Sequence, residues 1–250
     1  MDVHHHAHTA RKKWTHYFWE FLMLFLAVFC GFLAEYQLEH YIEKQRAKQY
    51  LSSLYEDLKI DNRQLEFVIP IFKEKDKRLD TMLKLIKGIS KMTGANGLYK
   101  YWMEPEGYPD FIYTDRTIQQ LKNSGGLRLI TNKAVSDSIV AYDATVKLLG
   151  IIITEVVQPR LQQIGQITLR LYDFRCCPEM SQVTTFASYR SMRYPAPGNL
   201  LSYEEKVLAE YYNHVQLIRS IFSEQRFRLE ELKAQNHRLR ELLEKTFHLK

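Results

Sequence analysis

FLMLFLAVFCGFLA, Phe21 to Ala34, is a run of fourteen residues without a charge. Fourteen are too few to cross a bilayer, which takes about twenty in a helix rising 1.5 Å per residue. Tyr17, Phe18 and Trp19 before the run and Tyr36 after it widen the apolar segment to 17–36, with Glu20 and Glu35 near its ends at headgroup depth. Trp14, Tyr17 and Trp19 on one side and Tyr36 and Tyr41 on the other form the two aromatic belts of an interfacial anchor. The sequence therefore predicts a transmembrane helix over 17–36, held by Trp14, Tyr17, Trp19, Phe21, Leu24, Val28, Phe32 and Tyr36, with membrane lipid as its first partner.

Two other readings fit the run less well. A core helix has a polar face, and none exists between Phe21 and Ala34. A cleaved signal peptide carries small residues ahead of the cut, whereas this run passes straight into Glu35-Tyr36-Gln37-Leu38-Glu39. Arg11, Lys12 and Lys13 lie close to the start of the span, while Lys44, Arg46 and Lys48 lie farther beyond its end among Glu35, Glu39 and Glu43. The positive-inside rule then expects a single-pass protein of a bacterial inner membrane, with tail 1–16 cytoplasmic and domain 37–250 periplasmic.

Composition agrees with a folded domain, since 46% apolar and 26% charged residues are enough to build a core. The net charge of +6 comes from bases interleaved with acids along most of the chain. No nucleic-acid motif accompanies them, so nucleic acid is not expected as a partner.

The fold class expected is all-α: one N-terminal transmembrane helix continuing into an extramembrane helical bundle with a long C-terminal heptad helix. Ala47, Leu51, Leu54, Leu58, Leu65 and Val68 continue a helical stripe as far as Pro70, and a second helix is expected over about 71–90. Irregular inserts are expected at about 94–114, rich in aromatics and turn residues, and at about 174–200, which holds three of the seven prolines. Between them, a short helix over about 115–123 stops at Ser124-Gly125-Gly126. A longer helix follows, capped by Thr131 or Asn132, with Val135, Ile139, Tyr142, Val146, Leu149 and Ile153 on one face and a bend or break at Pro159.

The last helix carries the cleanest period: Leu208, Tyr211, Val215, Ile218, Phe222, Gln225, Leu229, Leu232, Asn236, Leu239, Leu243 and Thr246 alternate by three and four. An asparagine at a core position sets register in parallel coiled coils, so self-association through this helix is one expectation. Arg219, Arg226, Lys233 and Arg240 flank the stripe without acids to match them in a second copy, which favours an intramolecular partner bearing acids such as Glu56, Asp57 and Asp61.

His4-His5-His6-Ala7-His8, the YFWEFLMLFLAV anchor from Tyr17, LSSLYEDLK from Leu51 and LKNSGGLRLI from Leu121 together resemble an uncharacterised family of small single-span membrane proteins from Bacteroidota. The resemblance reaches to about residue 145. It implies a location and an architecture but no activity, substrate or catalytic residue.

Chemistry is sparse in the sequence. His4, His5, His6 and His8 are candidate metal ligands through imidazole nitrogen, although a short tail without cysteine does not specify a closed zinc site. Glu20 and Glu35 lie at the ends of the span, where snorkelling to the interface removes most of the reason to read them as a proton path. Cys176 and Cys177 are adjacent, which is not the spacing of a redox pair. No phosphate-binding glycine loop, nucleophile elbow or paired-histidine zinc helix is present. The expectation is a protein that is not an enzyme and needs no cofactor, an anchored interaction or scaffold module bound to another membrane or periplasmic protein or to itself. The competing readings are a sensor whose 98–113 aromatics bind a ligand, and a metal-binding accessory protein using the histidine tail.

Overall fold

The computed structural model describes residues 14–90, 94–95, 97–177 and 199–247. The fold is all-α. Five helices, α1 (Trp14–Lys87), α2 (Arg116–Asn123), α3 (Lys133–Ile152), α4 (Gln158–Leu171) and α5 (Glu205–Phe247), carry the described chain, with short 3-10 turns at Leu98–Tyr101, Gly126–Leu129 and Phe174–Cys176. Among the described residues the sole β feature is an isolated bridge between Tyr172 and Leu200. The chain divides into two compact units, Met1–Tyr50 and Leu51–Lys250.

In the first unit α1 is apolar all round between Phe21 and Ala34. It is the one described helix long and apolar enough to cross a membrane, and no residue of its most apolar stretch is buried. Phe21, Phe25 and Phe29 stack one turn apart, with ring centres separated by 6.2 and 5.9 Å.

In the second unit α1 supplies Leu51, Leu54, Leu58, Leu65, Val68, Phe72, Leu79 and Met82 to the core. The helix runs through Pro70, where the sequence pattern predicts an end. Pro70 is exposed, so the ring and the carbonyl deprived of its amide donor face water, while Leu65, Val68, Ile69 and Phe72 are buried on the other side. A proline inside a helix costs about 3 kcal/mol. Burying four large apolar side chains at roughly 1.5–3 kcal/mol each offsets it. At Pro159 the α winding is interrupted, as the sequence pattern expects, since α3 ends at Ile152. A π segment, Ile153–Val157, joins α3 to α4 and leaves Pro159 in the first turn of α4, where no amide donor is needed.

The stripe on α5 is interior. Tyr211, Val215, Ile218, Phe222, Gln225, Leu229, Leu232, Asn236, Leu239 and Leu243 are buried, and Leu208 and Thr246 are half-buried at the two ends. Asn236 Nδ2 donates to the Leu58 carbonyl at 2.9 Å and to Tyr142 Oη at 3.3 Å, fixing register within one chain. The flanking bases also find partners inside the chain. Arg219 meets Asp76 and Asp80 at 2.8 and 2.7 Å, Lys233 meets Glu66 at 3.3 Å, and the Arg240 guanidinium lies over the Tyr55 ring at 5.5 Å. The acids singled out from sequence serve elsewhere: Glu56 pairs with Lys59, and Asp57 and Asp61 hold the segment 114–117.

Candidate functional site

The first candidate is the outer face of α3. Val135, Ile139, Tyr142, Val146 and Leu149 turn inward and are buried. On the opposite face Val140, Ala144, Leu148 and Ile151 form a second stripe at spacings of four, four and three. Val140 is 45% exposed, Leu148 51% and Ile151 58%. A single exposed aliphatic is ordinary on a protein surface, whereas an aligned row is the mark of a contact face. Sequence reasoning missed it by following one face of an amphipathic helix; the signal was a segment with apolar residues at both phases of the helical period.

The second candidate is a cleft between the segment 102–110 and α4, with a volume of about 590 Å³. Its outer wall is held by buried charge. Glu104 has no exposed side-chain surface and meets Lys75, equally buried, at 3.4 Å, and also the Arg78 guanidinium. Arg78 Nη2 donates to the Lys100 carbonyl at 2.9 Å, and its guanidinium lies over the Tyr101 ring at 4.8 Å. Tyr99 Oη accepts from the Asp173 amide at 2.9 Å and lies 2.7 Å from the Asn199 carbonyl, tying the segment to residues 173 and 199. The Tyr108 ring packs edge-on against Phe72 and Phe222, with centres 5.5 and 5.9 Å apart.

Within this cleft stand Trp102, Glu106, Tyr108, Gln162, Gln166 and Phe174. Glu106 Oε1 is sealed from solvent and has no hydrogen-bonding partner among the described residues. Burial raises its carboxyl above the ordinary value of 4.5, opposed by a hydrogen bond with Thr168. An acid with a raised folded value binds its proton more tightly when native. Its contribution is therefore neutral below about 4.5, and stability falls as pH rises from there through the folded value. Glu106→Gln should raise the Tm at pH 7 and leave it unchanged at pH 4. Unchanged melting at pH 7 would refute a buried charge at this position.

The remaining sequence candidates are placed as follows. Trp14, Tyr17, Trp19, Phe21, Leu24, Val28, Phe32 and Tyr36 are exposed on α1. His4, His5, His6 and His8 lie outside the described residues. Among the described residues no group of three or more His, Cys, Asp or Glu is arranged to hold a metal ion. Cys176 and Cys177 are free thiols with sulfurs 3.7 Å apart; burial, followed by the neighbouring Cys176, pushes the Cys177 thiol up to about 12, so it is not a ready nucleophile. The site must be read from its own geometry, because no family model, no curated protein and no solved structure matches this chain.

Proposed function

We propose that this chain is a single-pass membrane protein whose helical domain works without catalysis, as an interaction or scaffold subunit that docks another envelope membrane or periplasmic protein against the outer face of α3. The observation that carries the reading is the exposed row Val140, Ala144, Leu148 and Ile151, left uncovered on a helix whose other face is fully buried. Anchoring is supported by the apolar, unburied stretch of α1, since such a helix gains about 25 cal/mol per Å² of apolar surface removed from water. The bases at 11–13 favour an N-terminus on the cytoplasmic side and a periplasmic domain.

Self-association is the lesser form of this proposal, because the heptad stripe that suggested it is occupied within the chain. Gentle solubilisation from the native membrane, with identification of every co-purifying chain, tests the reading. A defined partner is expected with the unaltered protein, and Leu148→Glu combined with Ile151→Glu should abolish its recovery while the Tm stays within a few degrees, since both side chains are exposed. Partner recovery unaffected by the double substitution would move the contact off α3, and a chain recovered alone would defeat the scaffold reading.

A further inference from the structure

We propose that the cleft between the segment 102–110 and α4 binds a small organic amine as its cation, with Glu106 as the inner anion and aromatic rings around the alkyl-ammonium group. This site does not rest on the docking face of α3.

The lining fixes the class of ligand. Among the described residues Glu106 and Asp110 are the only charged ones that line it, with no Lys, Arg or His, so an anion would meet repulsion from this wall. Trp102, Tyr108 and Phe174 line the space, and aromatic rings attract ammonium groups most strongly when water is excluded. Gln158, Gln162 and Gln166 follow one another at intervals of four along α4 and add neutral polar groups. The volume of about 590 Å³ lies within the range of small-molecule sites.

Glu106 Oε1 gives the site its specific demand. A buried acceptor without a donor costs about 1–3 kcal/mol, and an ammonium N–H would satisfy it. Gly165 lies across from it: a Cβ at this position would stand 3.8 Å from Glu106 Oε2, ordinary contact distance, which places the carboxyl close to the backbone of α4. Asp110 is exposed and lies at the rim, which suits a second ammonium group in a diamine.

The test is calorimetric titration of the full chain in phosphatidylcholine nanodiscs, with empty nanodiscs as the blank. Butylamine and 1,4-diaminobutane are expected to bind saturably at one site, and butyrate and glucose are not. Glu106→Gln, which preserves shape, should weaken both amines by about tenfold or more, the loss expected of a charge-assisted hydrogen bond. Asp110→Asn changes an exposed residue of the rim and should weaken the diamine several-fold more than butylamine. Absence of saturable amine binding above the blank, binding indifferent to Glu106→Gln, or equal binding of glucose or butyrate would each overturn the proposal. Leu148→Glu with Ile151→Glu should leave amine binding intact, which separates this outcome from failure of the docking face.

Discussion

Glu104→Ala is expected to lower the folding stability of the helical unit by about 3–5 kcal/mol, the loss typical when one partner of a buried ion pair is removed. Glu104 and Lys75 have no side-chain surface in contact with solvent, and Lys75 also lies 5.5 Å from the centre of the Phe222 ring on α5. The truncation takes away the carboxylate that faces both Lys75 and Arg78, and it loosens the segment carrying Trp102 and Glu106. Urea unfolding followed by far-ultraviolet circular dichroism measures the loss. Replacing both charges, Lys75→Met with Glu104→Leu, should restore most of the stability, because the cost arises from an uncompensated charge more than from the missing attraction. A single substitution costing under about 1 kcal/mol would show that the pair is hydrated.

The second large effect is expected at Asp57. Its side chain, 1% exposed, accepts from the Thr117 amide at 3.2 Å, from the Thr117 hydroxyl and from Arg116 Nε at 2.6 Å. Asp115, in the N-cap position of α2, makes no side-chain capping bond, so a carboxylate from α1 does the capping across the bundle. There it also meets the positive end of the helix dipole. Asp57→Ala should cost about 2–4 kcal/mol, combining a lost cap with a buried amide and hydroxyl left without an acceptor. Hydrogen exchange at the first amides of α2 should quicken more than elsewhere. Uniform quickening across all helices would instead mark general loss of packing.

The legible parts of this protein were those written in local periodicity. The all-α class followed from apolar spacing, and so did the position of α5, whose stripe is long enough to leave one phase. A cap at Thr131 or Asn132 was equally readable, and Asn132 supplies it, its Oδ1 accepting from the Val135 amide at 3.3 Å. What sequence could not supply was pairing between distant segments. Asp57 and Asp61 read as acids for the bases of α5 until Thr117, Thr114 and Tyr142 are brought to them across 53 to 81 residues. Pro70 misled because the effect of a proline depends on the face it occupies. Pro70 points outward, so hydration replaces the bond it cannot make. Glu106 had no sequence signal, since nothing local distinguishes a carboxylate sealed against α4 from one in water.

The wide turn Ile153–Val157 carries a consequence at the level of the gene. One surplus residue in an α-helix offsets everything after it by about 100° around the axis, and a π turn absorbs that residue by winding wider. A single-codon deletion within 153–157 would therefore restore ordinary winding and leave the buried Ile164, Ile167 and Leu171 of α4 facing the core as before. This stretch is thus a place where related chains could differ by one residue in length while keeping the same bundle and the same cleft.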